Sequence, residues 1–362
     1  IKGGLAACEA AVQSEPDNAR FRYQLARLQQ SARQFDKAYD NMQVAEAAGH
    51  IRAKYGLAVL LDTKRVDRDV VEIPYDPDRA RELLEAGIVE QDPYAMHRLG
   101  QNMMRNGETE TDRQRGFELL ERSVELGHTF AMNELGFYFL TKDTDHYIPE
   151  RGMRYLRASE LREDIYGYNN LGFVALSGLD GNPADFARAE RYFEAAADGG
   201  HPNAPANIAR MILRDQLKGR SMKEALQLYD TSLERGDAWG GANGATIILN
   251  GSVPGRGPAD AAVRAAKAVH LANAKGAGTA REKLAGIPEP ALNRGLQMVL
   301  KELGQSITVD GQVGPATLRA LETVSAENGV PLAFGTDSDP VARLLQATRV
   351  YWAQNPVRFD LF

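Results

Sequence analysis

The chain has 362 residues, 43% hydrophobic and 25% charged, enough apolar side chain to fill a large core, and no apolar run approaches the roughly 20 residues that a membrane-spanning helix needs. A formal net charge of −6 argues against nucleic acid as a partner, because proteins that grip a phosphate backbone present a basic face. Cys8 is the only cysteine, so no intramolecular disulfide forms.

From the N-terminus, Leu5 to Val12 reads as a short helix with Cys8 on its apolar face, where a small thiol is a packing choice. Asp17 to Ala38 then reads as two helices around a short loop, the first carrying Phe21-Arg-Tyr-Gln-Leu25-Ala26. The same motif returns as Ala53-Lys-Tyr-Gly-Leu57-Ala58, followed by an insertion around Val66 to Pro77. It is clearest at Ala95-Met-His-Arg-Leu99-Gly100, Ala131-Met-Asn-Glu-Leu135-Gly136 and Gly167-Tyr-Asn-Asn-Leu171-Gly172. It continues at Ala204-Pro-Ala-Asn-Ile208-Ala209 and Gly240-Gly-Ala-Asn-Gly244-Ala245. The closing small residues at 100, 136, 172, 209 and 245 give a step of 36 or 37, the period of a stacked helical-hairpin solenoid.

After each motif comes a second amphipathic run, as in Arg115 to His128 and Ala189 to His201, with apolar residues at helix spacing and a Gly just past the end. Gly or Ala on the first helix is expected where the second helix approaches closely. His50, His128 and His201 each follow the Gly that ends a second helix, where they are expected to hydrogen-bond free carbonyls and complement the helix dipole rather than hold a metal. No cofactor or metal site is expected, and no phosphate loop, dinucleotide fingerprint, nucleophile elbow or zinc motif occurs.

These units resemble the Sel-one-like repeat (SLR), a relative of the tetratricopeptide repeat. The likeness covers about residues 15 to 275, with the first unit closer to a tetratricopeptide hairpin. It implies an all-α protein: a right-handed α-solenoid of about seven hairpins whose first helices line a concave groove for a protein or peptide partner. Three residues before the closing Gly or Ala, the groove ladder would read Tyr23, Tyr55, His97, Asn133, Asn169, Ala206, Ala242. One residue after it come Gln101, Phe137, Phe173 and Arg210, and one turn earlier Tyr94, Phe130 and Tyr166. Carboxamides such as Asn133 and Asn169 both donate and accept, which suits them to clamp a ligand backbone; the competing reading has them tie adjacent helices while the aromatics seal one hairpin on the next.

Gly276 to Pro290, rich in Gly, Ala and Pro, reads as a linker. Beyond it Leu292, Leu296, Val299, Leu300 and Leu303 form a helix stripe stopped by Gly304, Asp310-Gly311 supplies a tight turn, Gly314-Pro315 starts a second helix, and a third runs from about Pro340 to Gln354. The order Leu296-Gln297, Leu303-Gly304, Val309-Asp310-Gly311, Val313-Gly314-Pro315 and Thr317-Leu318 resembles the small three-helix peptidoglycan-binding domain of phage-type N-acetylmuramidases, and Pro356-Val-Arg-Phe359 matches its end. Val324-Ser325 departs from the aromatic-Gln pair of the commoner variant, and Asp360-Leu361-Phe362 replaces the expected Gly-Trp.

The resemblance implies wall binding through Asp310, Gly311, Gln312, Gly314, Thr317 and Arg319, with Tyr351 and Trp352 as stacking faces; the near balance of acidic and basic residues in the segment makes only mild salt dependence expected. The expected domains are 1–52 (tetratricopeptide-like), 53–275 (SLR solenoid), 276–290 (linker) and 291–362 (peptidoglycan-binding-like). The expected function is a non-catalytic bacterial envelope scaffold in the periplasm, carrying no membrane span. The alternative is the recognition region of a larger enzyme, such as a caspase-like peptidase, whose catalytic domain precedes residue 1. The absence of an initiator Met is read as the mark of a piece of a longer protein.

Overall fold

The computed structural model describes residues 2–32, 34–63, 73–271, 273–333, 335–336 and 338–357, and among them it has 19 helices and no strand. The chain divides into two compact units, Ile1–Asp185 and Phe186–Val357.

In the first unit α1 (Lys2–Ser14) leads into four hairpins: α2 (Ala19–Ser31) with α3 (Phe35–Ala47), α4 (Ile51–Asp62) with α5 (Pro77–Val89), α6 (Pro93–Asn106) with α7 (Glu110–Glu125), and α8 (Thr129–Leu140) with α9 (Pro149–Glu160). Helix α10 (Ile165–Ser177) stacks on α9 and α8. The motifs sit in register on α2, α4, α6, α8 and α10. Leu25, Leu57, Leu99, Leu135 and Leu171 are all buried beside their small neighbours. The close approach expected at Gly100 is real and reciprocal: a Cβ there would lie 2.8 Å from the Gly116 carbonyl, and one on Gly116 would lie 2.8 Å from the Gly100 carbonyl. Any side chain at either residue would push α6 and α7 apart.

In the second unit α11 (Phe186–Asp198) is followed by α12 (Ala204–Leu213) with α13 (Met222–Glu234) and α14 (Ala238–Leu249) with α15 (Pro258–Val269). Residues 276–290 are not an extended linker. Most of them lie in α16 (Ala274–Ala285), where Gly276 sits so close to α14 that a Cβ would be 2.9 Å from the Ala238 side chain. Of the small residues that read as a linker composition, Gly276 permits the close approach and Ala277 and Ala280 are buried. Helices α17 (Glu289–Glu302), α18 (Pro315–Glu327) and α19 (Pro340–Gln354) form the C-terminal group, and α17 and α19 both pack on α15. Most of the expected insertion near Val66, and the Phe359 to Phe362 end, lie outside the described residues.

The first helices α2, α4, α6, α8, α10, α12 and α14 have Asn18, His50, Asp92, His128, Asp164, Asn203 and Asp237 at their N-caps. The aspartates accept from the first-turn amides, Asp92 from Tyr94 N at 3.2 Å, Asp164 from Gly167 N at 2.9 Å and Asp237 from Trp239 N at 3.1 Å. His201 Nδ1 takes the same role, accepting from the amides of Asn203 and Ala204 at 3.2 Å. His50 and His128 occupy the N-cap position of the next helix without a side-chain cap bond, whereas His201 places a ring nitrogen on its first amides. The free carbonyls that were expected to engage their rings are met by backbone amides instead, such as His128 N to Ser123 O at 3.1 Å.

Candidate functional site

In the first unit, residues of the expected ladder three before the closing Gly or Ala contact the next hairpin. Asn133 is 8% exposed, and its Nδ2 donates to Asp164 Oδ2 at 2.6 Å, so the amide ties α8 to the cap of α10. Ser159 Oγ joins the same carboxylate oxygen at 3.0 Å. At the equivalent positions upstream, Tyr23 stacks on His50 at 4.1 Å and His97 lies 5.0 Å from His128, ring centroid to ring centroid. One rule covers them: the residue three before the closing Gly or Ala meets the next hairpin's cap. Asn169 is likewise buried.

The aromatics one turn earlier extend this seam. Tyr94 meets His128 edge-on at 4.4 Å, and Phe130 lies 5.4 Å from Tyr166. Both ring nitrogens of His128 are buried without a hydrogen-bond partner among the described residues. Burial pushes the His128 imidazole down to about 3 and that of His97 to about 4, with the neighbouring His97 and Arg52 adding to the effect on His128 and Arg98 and Arg105 to that on His97. Both are neutral rings at pH 7.

Of the other ladder residues, Gln101 donates from Nε2 to Glu134 Oε2 at 2.9 Å, and Arg105 pairs with the same carboxylate at 2.6 Å. Phe137 and Phe173 are half-buried. Arg210, in the second unit, donates to Asn207 Oδ1 at 2.6 Å, and burial with the neighbouring Arg214 holds its guanidinium below its usual range.

The second candidate surface lies between α17 and α18. Gln297, 1% exposed, spends its whole carboxamide on the Asp310–Gln312 turn: Nε2 donates to Asp310 Oδ1 at 2.8 Å and to the Gln312 carbonyl at 3.0 Å, and Oε1 accepts from Gly311 N at 2.7 Å. Gln312 N donates back to Asp310 Oδ1 at 2.8 Å. These bonds, led by that from Gln297, hold the exposed Asp310 carboxyl below the usual range. Gly311 has φ +84°, a left-handed conformation that explains the Asp-Gly pair. Gly314 is the N-cap of α18, Thr317 is buried, and Gln312 and Arg319 are exposed. Gln297 is the residue whose role the sequence reading missed; it was visible only as part of a motif.

Tyr351 and Trp352 do not stand free as stacking faces. Trp352 Nε1 donates to the Lys267 carbonyl at 2.8 Å, and the Lys267 ammonium lies 3.6 Å from the centre of the Tyr351 ring. His270 Nε2 adds contacts of 2.9 Å to the Leu345 carbonyl and 3.0 Å to Thr348 Oγ1. These aromatics fasten α19 to α15.

Hairpins in register at a 36-residue step define an all-α helical-repeat protein, closed at its C-terminal side by a three-helix group. Two of the repeats, residues 93–128 and 165–201, match the family model described as Sel1 repeat, and residues 293–334 match the model described as a predicted peptidoglycan domain. Among solved structures, the Sel1 repeat protein from Oxalobacter formigenes is 14% identical with a TM-score of 0.46, covering 60% of this chain and 85% of that one. The protective antigen c5321 of uropathogenic Escherichia coli, described as displaying an SLR fold, is 15% identical with a TM-score of 0.39 over 98% of this chain and 84% of its own. The immunity protein Pa5087 from Pseudomonas aeruginosa is 17% identical with a TM-score of 0.44, covering 60% and 81%. No match is found among curated proteins.

Proposed function

We propose that the chain is a non-catalytic scaffold of the bacterial cell envelope, in which the Sel1 repeats hold a protein or peptide partner and residues 291–362 hold peptidoglycan. The observation that carries this reading is the presence, in one chain, of Sel1 repeats and a sequence matching the predicted peptidoglycan domain. The latched Asp310–Gln312 turn supports it, because a buried carboxamide fixing an exposed turn gives a preformed polar surface with little entropy left to lose on binding. Wall contacts are assigned to Asp310, Gln312 and Arg319, with Gly311, Gly314 and Thr317 shaping the loop. Tyr351 and Trp352 are assigned to packing. For the partner surface, Gln101, Phe137 and Phe173 remain the best candidates, while Tyr94, His97, Phe130, Asn133, Tyr166 and Asn169 are assigned to the seam between hairpins. A periplasmic location follows from the proposed wall ligand. The test is co-sedimentation of the full chain with purified sacculi, expected to be saturable and to persist at moderate salt; a chain that stays in the supernatant while folded sinks the wall-binding half.

A further inference from the structure

The residue that crosses the latched turn has no assigned role. Arg294 stands one turn before Gln297 on α17, so the two share a face. Its side chain runs directly over Gly311, and a Cβ on that glycine would lie 3.2 Å from Arg294 Cγ and 3.3 Å from Nε. The absence of a side chain at position 311 leaves room for the Arg294 side chain against the turn. Asp310 lies beside it, with Oδ1 committed twice, to Gln297 and to the Gln312 amide. Both Arg294 and Asp310 are exposed, and among the described residues neither makes an ion pair. Two opposite charges, one of them held by a buried carboxamide, therefore stand near each other on an exposed turn, close enough for the Arg294 charge to favour the Asp310 carboxylate but without a direct ion pair.

Within the proposed function, on which this step rests, the wall supplies matching chemistry. In peptidoglycan the lactyl carboxylates of the glycan are consumed in amide bonds to the stem peptides, so the free charges sit on the peptides. A stem diamino acid that has escaped cross-linking carries an ammonium and a carboxylate on one carbon. We infer that Arg294 and Asp310 together form a receptor for that zwitterionic end: the guanidinium takes the carboxylate through paired N–H donors, and the Asp310 carboxylate takes the ammonium. The domain would then read the peptide rather than the sugar, and would favour wall that is not cross-linked.

The experiment is co-sedimentation of the full chain with three preparations of sacculi: native, with stem carboxylates amidated by carbodiimide and ammonia, and with amines acetylated. Arg294→Gln should bind native sacculi about tenfold more weakly than the wild type and show little further loss on amidated sacculi. Asp310→Asn keeps an oxygen for Gln297 and for the Gln312 amide, removes the charge, and should lose about the same factor on native sacculi with little further loss on acetylated ones. Wild-type chain should lose affinity for both modified preparations. Arg294→Lys, which keeps the charge, should recover part of the binding and so separates charge recognition from a folding defect, with the thermal melt of each variant as a second control. If wild type binds native sacculi and the Gln and Asn variants bind them equally well, or if both modified preparations bind as native, the zwitterion receptor is refuted while wall binding stands. If the wild-type chain does not sediment at all, wall binding itself fails and the receptor with it.

Discussion

Acid should loosen the first unit through two histidines in the seam between hairpins, His128 buried and His97 half-buried. His97 titrates near 4 and His128 near 3 in the folded chain, against about 6.5 in an unfolded one. A native pKa below the unfolded value means that protons bind the unfolded chain more readily. The stability these rings contribute is thus full above about pH 6.5 and is lost as pH falls toward their native values. At pH 5 each loss is about 1.5 units at 1.36 kcal/mol per unit, or about 2 kcal/mol, and since both native rings are still neutral there the losses add to about 4 kcal/mol. Asp92 opposes this in part, because burial raises its pKa and favours the protonated native form as pH falls. Trp239 and Trp352 both lie in the second unit, so tryptophan fluorescence does not report on the first. Hydrogen exchange of peptides spanning α6 to α8 does, after correction for intrinsic rates. Between pH 7.5 and 5 the opening free energy there should fall by up to about 4 kcal/mol in the wild type and about 2 kcal/mol less in His128→Asn. The variant should start lower at pH 7.5, by about 1–2 kcal/mol, from lost ring packing. Equal falls in the two proteins would refute the assignment of the acid sensitivity to His128.

Asn133→Ala should destabilise the first unit by about 1–3 kcal/mol in denaturant titrations followed by circular dichroism, because it strips a donor from the Asp164 cap; an unchanged midpoint would mean that the amide does not tie the hairpins. Gln297→Leu should cost about 2–3 kcal/mol, read from the second unit's fluorescence melt, and should weaken sacculus binding by releasing the Asp310–Gln312 turn. Two glycines should respond with opposite signs in the same melt. Gly311→Ala should lose about 1–2 kcal/mol to its left-handed backbone, while Gly278→Ala, in the open interior of α16, should gain about 0.5–1 kcal/mol.

The hairpin register was legible because packing repeats it: Leu99-Gly100 and its copies mark the point where two helices touch, and a small residue, Gly or Ala, recurs at that contact. The caps were legible as residue types but were placed at the wrong helix end. A single His after Gly fits either the end of one helix or the start of the next, and only the alternation of His128 with Asp92 and Asp164 in three dimensions separates the two. The Gly and Ala content of 276–290 signals a linker by composition, although most of the stretch is helical and Gly276 serves the tight contact of α16 with α14. Tyr351 and Trp352 looked like stacking faces because sequence carries no sign of the Lys267 carbonyl that occupies the indole. The seam role of Asn133 was one of two readings the ladder allowed, and choosing between them required the Asp164 carboxylate, 31 residues away in sequence.

The central claim, that this chain is held on the wall polymer, is tested most directly by release. The full chain is loaded on purified sacculi, washed, and treated with a muramidase that dissolves the glycan. The account predicts that the chain stays in the pellet until digestion and enters the supernatant in step with the solubilised muropeptides. A chain that washes off before digestion, or that stays in the pellet after the glycan has dissolved, would contradict it.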